Sequence, residues 1–204
     1  HVKHLVYASS SSVYGKNKKV PFETKDNVDS PISLYAATKK SNELMAHAYS
    51  HLYGFKTTGI RFFTVYGPWG RPDMAYYLFA EAISNNKPIK VYNNGEMERD
   101  FTYIDDIVDG VMKIIETNLE NRDDFEIYNL GNNKTESLHS FIDIIEESLN
   151  KKAIKQMLPM QPGDVPKTFA DISNLIRDYD YKPKTNIKIG IQHFIKWFQN
   201  YKRL

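Results

Sequence analysis

The chain has 204 residues, 41% hydrophobic and 25% charged, with a formal net charge of +2, a globular composition with room for one good-sized core or two smaller ones. Both signs of charge are interspersed, so no broad basic footprint for nucleic acid exists, and Lys16, Lys18 and Lys19 read as a solvated loop. The lack of cysteine excludes a disulfide frame, a thiolate metal site and a catalytic thiol, which suits a reducing cytoplasm, and no apolar run approaches the ~20 residues of a membrane span.

The N-terminus shows no signal-peptide pattern. It begins three residues before an apolar run and reads as continuing from something longer. "HLVYASS" at 4–10 predicts a short strand buried in a sheet. After a polar loop with Gly15 and Pro21, residues 34–53 predict a helix. Leu34, Ala37, Ser41, Leu44, Ala48 and Leu52 recur at three- and four-residue spacing, Ser30 or Ser33 can cap the start, and Gly54 can end it. "KTTGIRFF" at 56–63 predicts a second strand, so strand, helix and strand form a parallel unit of a doubly wound sheet.

"GPWGRPD" is a turn-rich loop, followed by a helix from about Met74 to Ile83. "IKVYNNG" predicts a strand entering a turn. "YIDDIVDGVMKIIE" predicts an amphipathic helix opening near Asp105, with acids suited to its N-terminal dipole. "EIYNLGN" predicts a strand and "SLHSFIDIIEESLN" a helix. In the tail, Ile191, Phe194, Ile195, Phe198 and Tyr201 share one helix face and are expected to close the core.

The first helix carries the chemistry. Tyr35 and Lys39 stand four apart on one face, where an ammonium favours the phenolate and makes the tyrosine a usable base. YxxxK alone also occurs by chance as a packed aromatic beside a solvated charge. The serines of "YASSSSVYG", with Ser10 standing 25 residues before Tyr35, fall at the end of a predicted buried strand. Parallel sheets bind ligands at that edge; otherwise the run is a polar turn.

The order of "YASSSSVYG", "SLYAATKKSNELMAHAYSHLYG", "RFFTVYGPWGRPDMA" and "RDFTYIDDIVDG" resembles the extended short-chain dehydrogenase/reductase family, especially the UDP-glucuronate 4-epimerases. The resemblance extends over nearly the whole chain and implies an α/β fold: a partial Rossmann-like parallel sheet plus a smaller α/β substrate-binding domain. It divides the chain into 1–70 with 100–131, carrying YxxxK, and 71–99 with 132–204, binding the nucleotide sugar. It also implies NAD as cofactor, a UDP-sugar as substrate, no nucleic-acid or membrane partner, a homodimer in the full-length protein, and polysaccharide biosynthesis in the cytoplasm. One departure is large. Family members open with a glycine-rich turn that cradles the dinucleotide pyrophosphate, and nothing like GxxGxxG occurs here. The chain resembles the last three-fifths or so of a family member.

By resemblance, Tyr35 removes the proton of the sugar 4-hydroxyl, Lys39 holds the nicotinamide ribose, Ser10 bonds the reacting oxygen and helps relay its proton, and Ser12 falls at the position of a second substrate-contacting hydroxyl. Phe62 falls at a cofactor-contacting position. Arg99 matches an arginine on the UDP phosphates, Thr64 a diphosphate contact and Asp164 a ribose-binding aspartate. Tyr92 matches an aromatic on the uracil, or is an ordinary strand aromatic. Gln161 stands where many epimerases have a phosphate-binding arginine. Arg71 is placed to clasp the sugar carboxylate through two parallel hydrogen bonds; the alternative is a surface pair with Asp73. The related dehydratases and decarboxylases carry acidic residues where Ser10, Ser11 and Ser12 stand, so elimination chemistry is disfavoured here.

Glu43, His47 and His51 form an i+4 stripe that could hold a metal, but the mechanism needs none and no metal is expected. His139 and His193 are isolated. Two alternatives stay open: a UDP-glucose or UDP-N-acetylhexosamine 4-epimerase, and a non-catalytic nucleotide-sugar-binding fragment.

Overall fold

The computed structural model describes residues 2–161 and 164–203. In chain order the elements are β1 (His4–Ser10), α1 (Leu34–Tyr53), β2 (Lys56–Phe62), β3 (Thr64–Tyr66), α2 (Ala75–Ser84), β4 (Pro88–Val91), β5 (Glu98–Arg99) and β6 (Phe101–Tyr103). There follow α3 (Ile104–Ile115), β7 (Phe125–Leu130), β8 (Glu136–Ser137), α4 (Leu138–Leu149), β9 (Ile154–Met157), α5 (Ser173–Tyr179) and α6 (Ile187–Lys202). β1, β2 and β7 form a parallel sheet in the order β1-β2-β7. The register sets Ser10 opposite Phe62, and Phe62 opposite Leu130, along the C-terminal edge.

α1 begins where Ser33 accepts a hydrogen bond from the Ala36 N–H, and ends at Gly54 in the left-handed conformation. Its limits are as the sequence predicts, while the spacing leaves open which face is buried. The face on the sheet is Ala36, Glu43, Ala46 and Ser50. The leucine row faces outward: Leu34 is 82% exposed, Leu44 59% and Leu52 68%. Small side chains let the helix lie close to the strands, and Ser50 Oγ donates to the carbonyls of Phe55 and Asp124 at 2.8 and 2.6 Å.

Under α1 lies a buried ion pair. Arg61 of β2 donates from Nε and NH2 to the two Glu43 carboxylate oxygens at 2.8 and 3.0 Å. Ser9 Oγ donates to the same carboxylate at 2.7 Å. Arg61 also reaches the Tyr14 hydroxyl at 3.1 Å and the Thr24 carbonyl at 3.2 Å. Tyr14 donates to Asn129 of β7 at 2.6 Å. Burial alone would raise the Glu43 carboxyl, but Arg61 and Ser9 reverse this and hold it below its ordinary value.

One apolar cluster surrounds this sheet and includes Val13, Ile60, Leu130, Ile172 and Leu175. A second packs α2, α4 and α6 around β4 and β6, with Phe101 stacked on Phe141 at 4.3 Å. Ile191, Phe194, Ile195 and Phe198 of α6 close it, whereas Tyr201 lies 57% exposed beyond the core. β9 and α5 lacked a sequence signal. The acid Asp106 of α3 accepts the N–H groups of Lys184 and Thr185, tying down the approach to α6.

Glu43→Ala leaves the Arg61 charge buried and unpaired. It is expected to cost about 3–5 kcal/mol of unfolding free energy by denaturant titration; a loss below about 1 kcal/mol, the range of exposed pairs, would show that the network does not hold α1 to the sheet.

Candidate active site

The polar end of β1 turns directly into a single helical turn, Ser11–Tyr14. Ser10 caps that turn: its Oγ accepts the Ser12 N–H at 3.2 Å and lies 2.7 Å from Ser12 Oγ. The two serine hydroxyls are therefore hydrogen-bonded to each other at the sheet's C-terminal edge. Ser11 and Ser12 line a cavity of about 210 Å³ together with Ser33, Thr64, Arg99 and Asp164.

Strand pairing brings these distant residues together. Thr64 pairs with Phe101 in parallel, and its N–H bonds the Asp100 carbonyl, which sets Arg99 beside Thr64. The segment after residue 163 runs along β5: Glu98 N–H bonds the Pro166 carbonyl and Thr168 N–H bonds the Glu98 carbonyl. Asp164 thereby meets Arg99, whose NH2 donates to its Oδ1 at 2.8 Å. Burial pulls the Arg99 guanidinium below its ordinary value, with Asp164 acting in the opposite direction.

Thr64, Arg99 and Asp164 also line a larger cavity of about 720 Å³, with Tyr92, Phe101 and Gln161 among its other walls. One cavity is small and the other wider, and they share a wall made of Thr64 and the Arg99–Asp164 ion pair. Concave sites with a few converging polar groups suit small-molecule ligands.

Tyr35 and Lys39 stand on the open side of α1, two and six residues past Ser33. Tyr35 is 55% exposed, and the Lys39 ammonium lies 5.8 Å from its ring centroid. Lys39 Nζ donates to the Ala8 carbonyl at 3.0 Å, anchoring the pair beside the end of β1. An ammonium has three donors, so this bond leaves capacity for another ligand. Phe62 ends β2 opposite Ser10 and packs partly against the sheet's apolar cluster.

Arg71 is exposed and makes a bidentate pair with Asp73, Nε to Oδ1 at 3.0 Å and NH2 to Oδ2 at 2.8 Å. Asp73 lines the larger cavity. The Glu43, His47, His51 stripe does not converge as a ligand set: Glu43 is committed to Arg61, and His47 packs edge-on against Phe125 at 4.9 Å.

Sequence reasoning missed two residues that shape the site. Ser33 was weighed only as a cap. Asp100, fully buried, accepts N–H bonds from Asn132 at 2.7 Å and Ala170 at 3.2 Å, and the Thr102 hydroxyl at 3.2 Å. The available signal was an acid flanking the wholly buried run Phe101–Tyr103.

Serines at the C-terminal edge of a parallel sheet thus stand beside a helix carrying Tyr35 and Lys39, within an α/β fold. Residues 1–131 match the NAD dependent epimerase/dehydratase family, and the chain belongs to it. Over 98% of its length the chain is 50% identical to Protein CapI of Staphylococcus aureus and 46% identical to a probable UDP-glucuronate 4-epimerase of Rhizobium meliloti. It spans 64% of the length of each. Among solved structures it is similar to a UDP-glucuronic acid 4-epimerase from Bacillus cereus, crystallised with UDP-glucuronic acid and NAD. That match has a TM-score of 0.90 and 31% identity, covering 98% of this chain and 63% of that one. No described helix is long and apolar enough to cross a membrane.

Burial pushes the Asp100 carboxyl from its ordinary 3.8 up to about 6. The folded state then holds this proton more tightly than the unfolded chain, so its stabilising contribution is complete below about 4 and is lost as pH rises through about 6. Asp100→Asn mimics the protonated form. Relative to wild type, the variant's unfolding free energy is expected to improve as pH rises from 5 to about 7. A difference that does not change with pH would contradict this reading of Asp100.

Proposed function

We propose that this chain is the catalytic and nucleotide-sugar-binding portion of an NAD-dependent UDP-sugar 4-epimerase that converts UDP-glucuronate to UDP-galacturonate. The observation that carries the reading is the convergence of Ser12, Thr64, Arg99 and Asp164 on one cavity, at the sheet edge where Ser10 pairs with Ser12.

In this reading Tyr35 is the base that takes the proton of the sugar 4-hydroxyl. Ser10 and Ser12, already hydrogen-bonded, hold the reacting oxygen and pass its proton. NAD, when bound, would supply reversible hydride chemistry at C4. Lys39, with donors left after its bond to Ala8, would hold the nicotinamide ribose, and Phe62 would contact the cofactor. Inversion at C4 requires a pocket in which the keto sugar can present its other face. Ser10, Ser11 and Ser12 offer no carboxyl group, which disfavours expulsion of a hydroxyl by this loop.

Arg99 and Thr64 hold the diphosphate, Asp164 the nucleoside ribose, and Tyr92 stacks on the uracil in the larger cavity. A ligand diphosphate takes over part of the Arg99 guanidinium now shared with Asp164. Arg71 clasps the sugar carboxylate, exchanging Asp73 for it. Both partners are exposed, 72% and 66% by side chain, so the exchange costs little. Holding that carboxylate matters chemically, because a 4-keto uronate is a β-keto acid and can lose CO₂. The outward row on α1, including Leu34, Leu44 and Leu52, supports a homodimer in the full-length protein, and the absence of cysteine suits the cytoplasm.

In the full-length protein, Tyr35→Phe is expected to lower kcat by at least about 10² while UDP affinity stays unchanged. Turnover within a few-fold of wild type would reject Tyr35 as the base. Arg71→Ala is expected to weaken UDP-glucuronate binding by about tenfold or more and leave UDP-glucose binding unchanged. Equal effects on both sugars would favour the UDP-glucose reading instead.

A further inference from the structure

The loop 67–73 carries the only left-handed tryptophan backbone among the described residues. Trp69 has φ +61°, a region that bulky side chains rarely occupy and that persists only where surrounding contacts enforce it. Its ring is 76% exposed, so burial in a core does not explain the conformation. The ring instead meets two aromatics of α6: Trp197 at 5.3 Å and Tyr201 at 5.7 Å. Those two stack on each other at 5.1 Å and 17°, four residues apart on one helix face. Trp197 in turn packs against Phe194, which lies in the core of the second cluster.

The next residue is pinned from the other side. A Cβ at Gly70 would lie 1.7 Å from the Tyr76 hydroxyl, so only glycine lets the loop press against α2 there. The loop is therefore held between α2 at Gly70 and α6 at Trp69. Arg71 follows immediately, and among the described residues its side chain hydrogen-bonds only to Asp73 and Met74. An exposed loop bearing a single cation has no rigidity of its own; here the anchors sit on the two residues just before that cation.

We propose that Trp69 is a positioning residue, clasped on Trp197 and Tyr201, that orders the loop presenting Arg71 and so sets the preference for a carboxylated over a neutral sugar. The clasp stands on the geometry; its effect on substrate choice rests on the uronate reading above. This role does not require the clasp to touch substrate. It acts by fixing where the guanidinium sits, which favours the two-point geometry that a carboxylate requires.

The test uses the full-length protein with Trp69→Gly, which keeps the left-handed backbone without strain, and Trp69→Phe, which keeps an aromatic ring. Amide hydrogen exchange is followed at Gly70 and Met74, whose N–H groups bond Gly67 and Arg71 carbonyls. Affinities for UDP, UDP-glucose and UDP-glucuronate are measured alongside. The expected result for Trp69→Gly is exchange at those amides faster by about tenfold, with protection elsewhere unchanged. The ratio of UDP-glucuronate to UDP-glucose affinity should fall about tenfold while UDP affinity holds. Trp69→Phe should recover both. Wild-type exchange in Trp69→Gly would overturn the clasp. Faster exchange with an unchanged sugar preference would overturn the positioning role. Faster exchange in a protein whose wild type shows no uronate preference would leave the clasp standing and reject the uronate reading.

Discussion

The Glu43–Arg61 ion pair is the interaction on which the site depends. It is bidentate and lies 1–2% exposed. A pair so deeply buried gains little net stability over an apolar substitute, because both charges give up their water. What it does here is fix register. Glu43 stands one turn past Lys39 on α1, Ser9 precedes Ser10 on β1, and Tyr14 follows Ser12 by two residues. Ser9 is bonded directly to the Glu43 carboxylate, and Tyr14 is joined to it through Arg61. The helix with the tyrosine and the strand with the serines are thus set against each other by one hydrogen-bonded network. Asn129 extends it by donating to the carbonyls of Phe22 and Asp171 at 2.8 and 3.1 Å.

A second buried carboxylate organises the other wall. Asp100 gathers the N–H groups of Asn132 and Ala170 while its own carbonyl takes the Thr64 N–H. Four stretches of chain that are remote in sequence converge there, next to Arg99. The cavity exists because two hydrogen-bond hubs, one under α1 and one behind β6, hold its opposite sides. Both are built from charged groups that would be costly to bury without partners.

How much of this was legible in the sequence depends on what local patterns encode. The limits of α1 were readable because Ser33 and Gly54 are chemically suited to helix ends. Its orientation was not, since a three- and four-residue spacing defines a stripe without saying what covers it. The leucines form the outward stripe, while the face on the sheet carries Glu43, which looked like a surface acid in a metal-type row. Arg61 inside "GIRFF" carries no local sign of its pairing, because its partner is 18 residues away. β9 has all four residues exposed, so no alternation marked it. The aromatic spacing of the tail placed Ile191 through Phe198 correctly in the core. It extended one step too far, to Tyr201, because the same spacing serves the exposed contact with Trp69. The grouping of Ser12, Thr64, Arg99 and Asp164 came from motif resemblance. Spacing alone could not have joined residues on four separate segments.

The most direct measurement is proton NMR of UDP-glucuronate incubated in D₂O with the full-length protein. Oxidation at C4 and return of the same hydride predict UDP-galacturonate that keeps protium at C4 and C5, with no release of CO₂. Deuterium at either carbon, or a pentose product, would contradict the account.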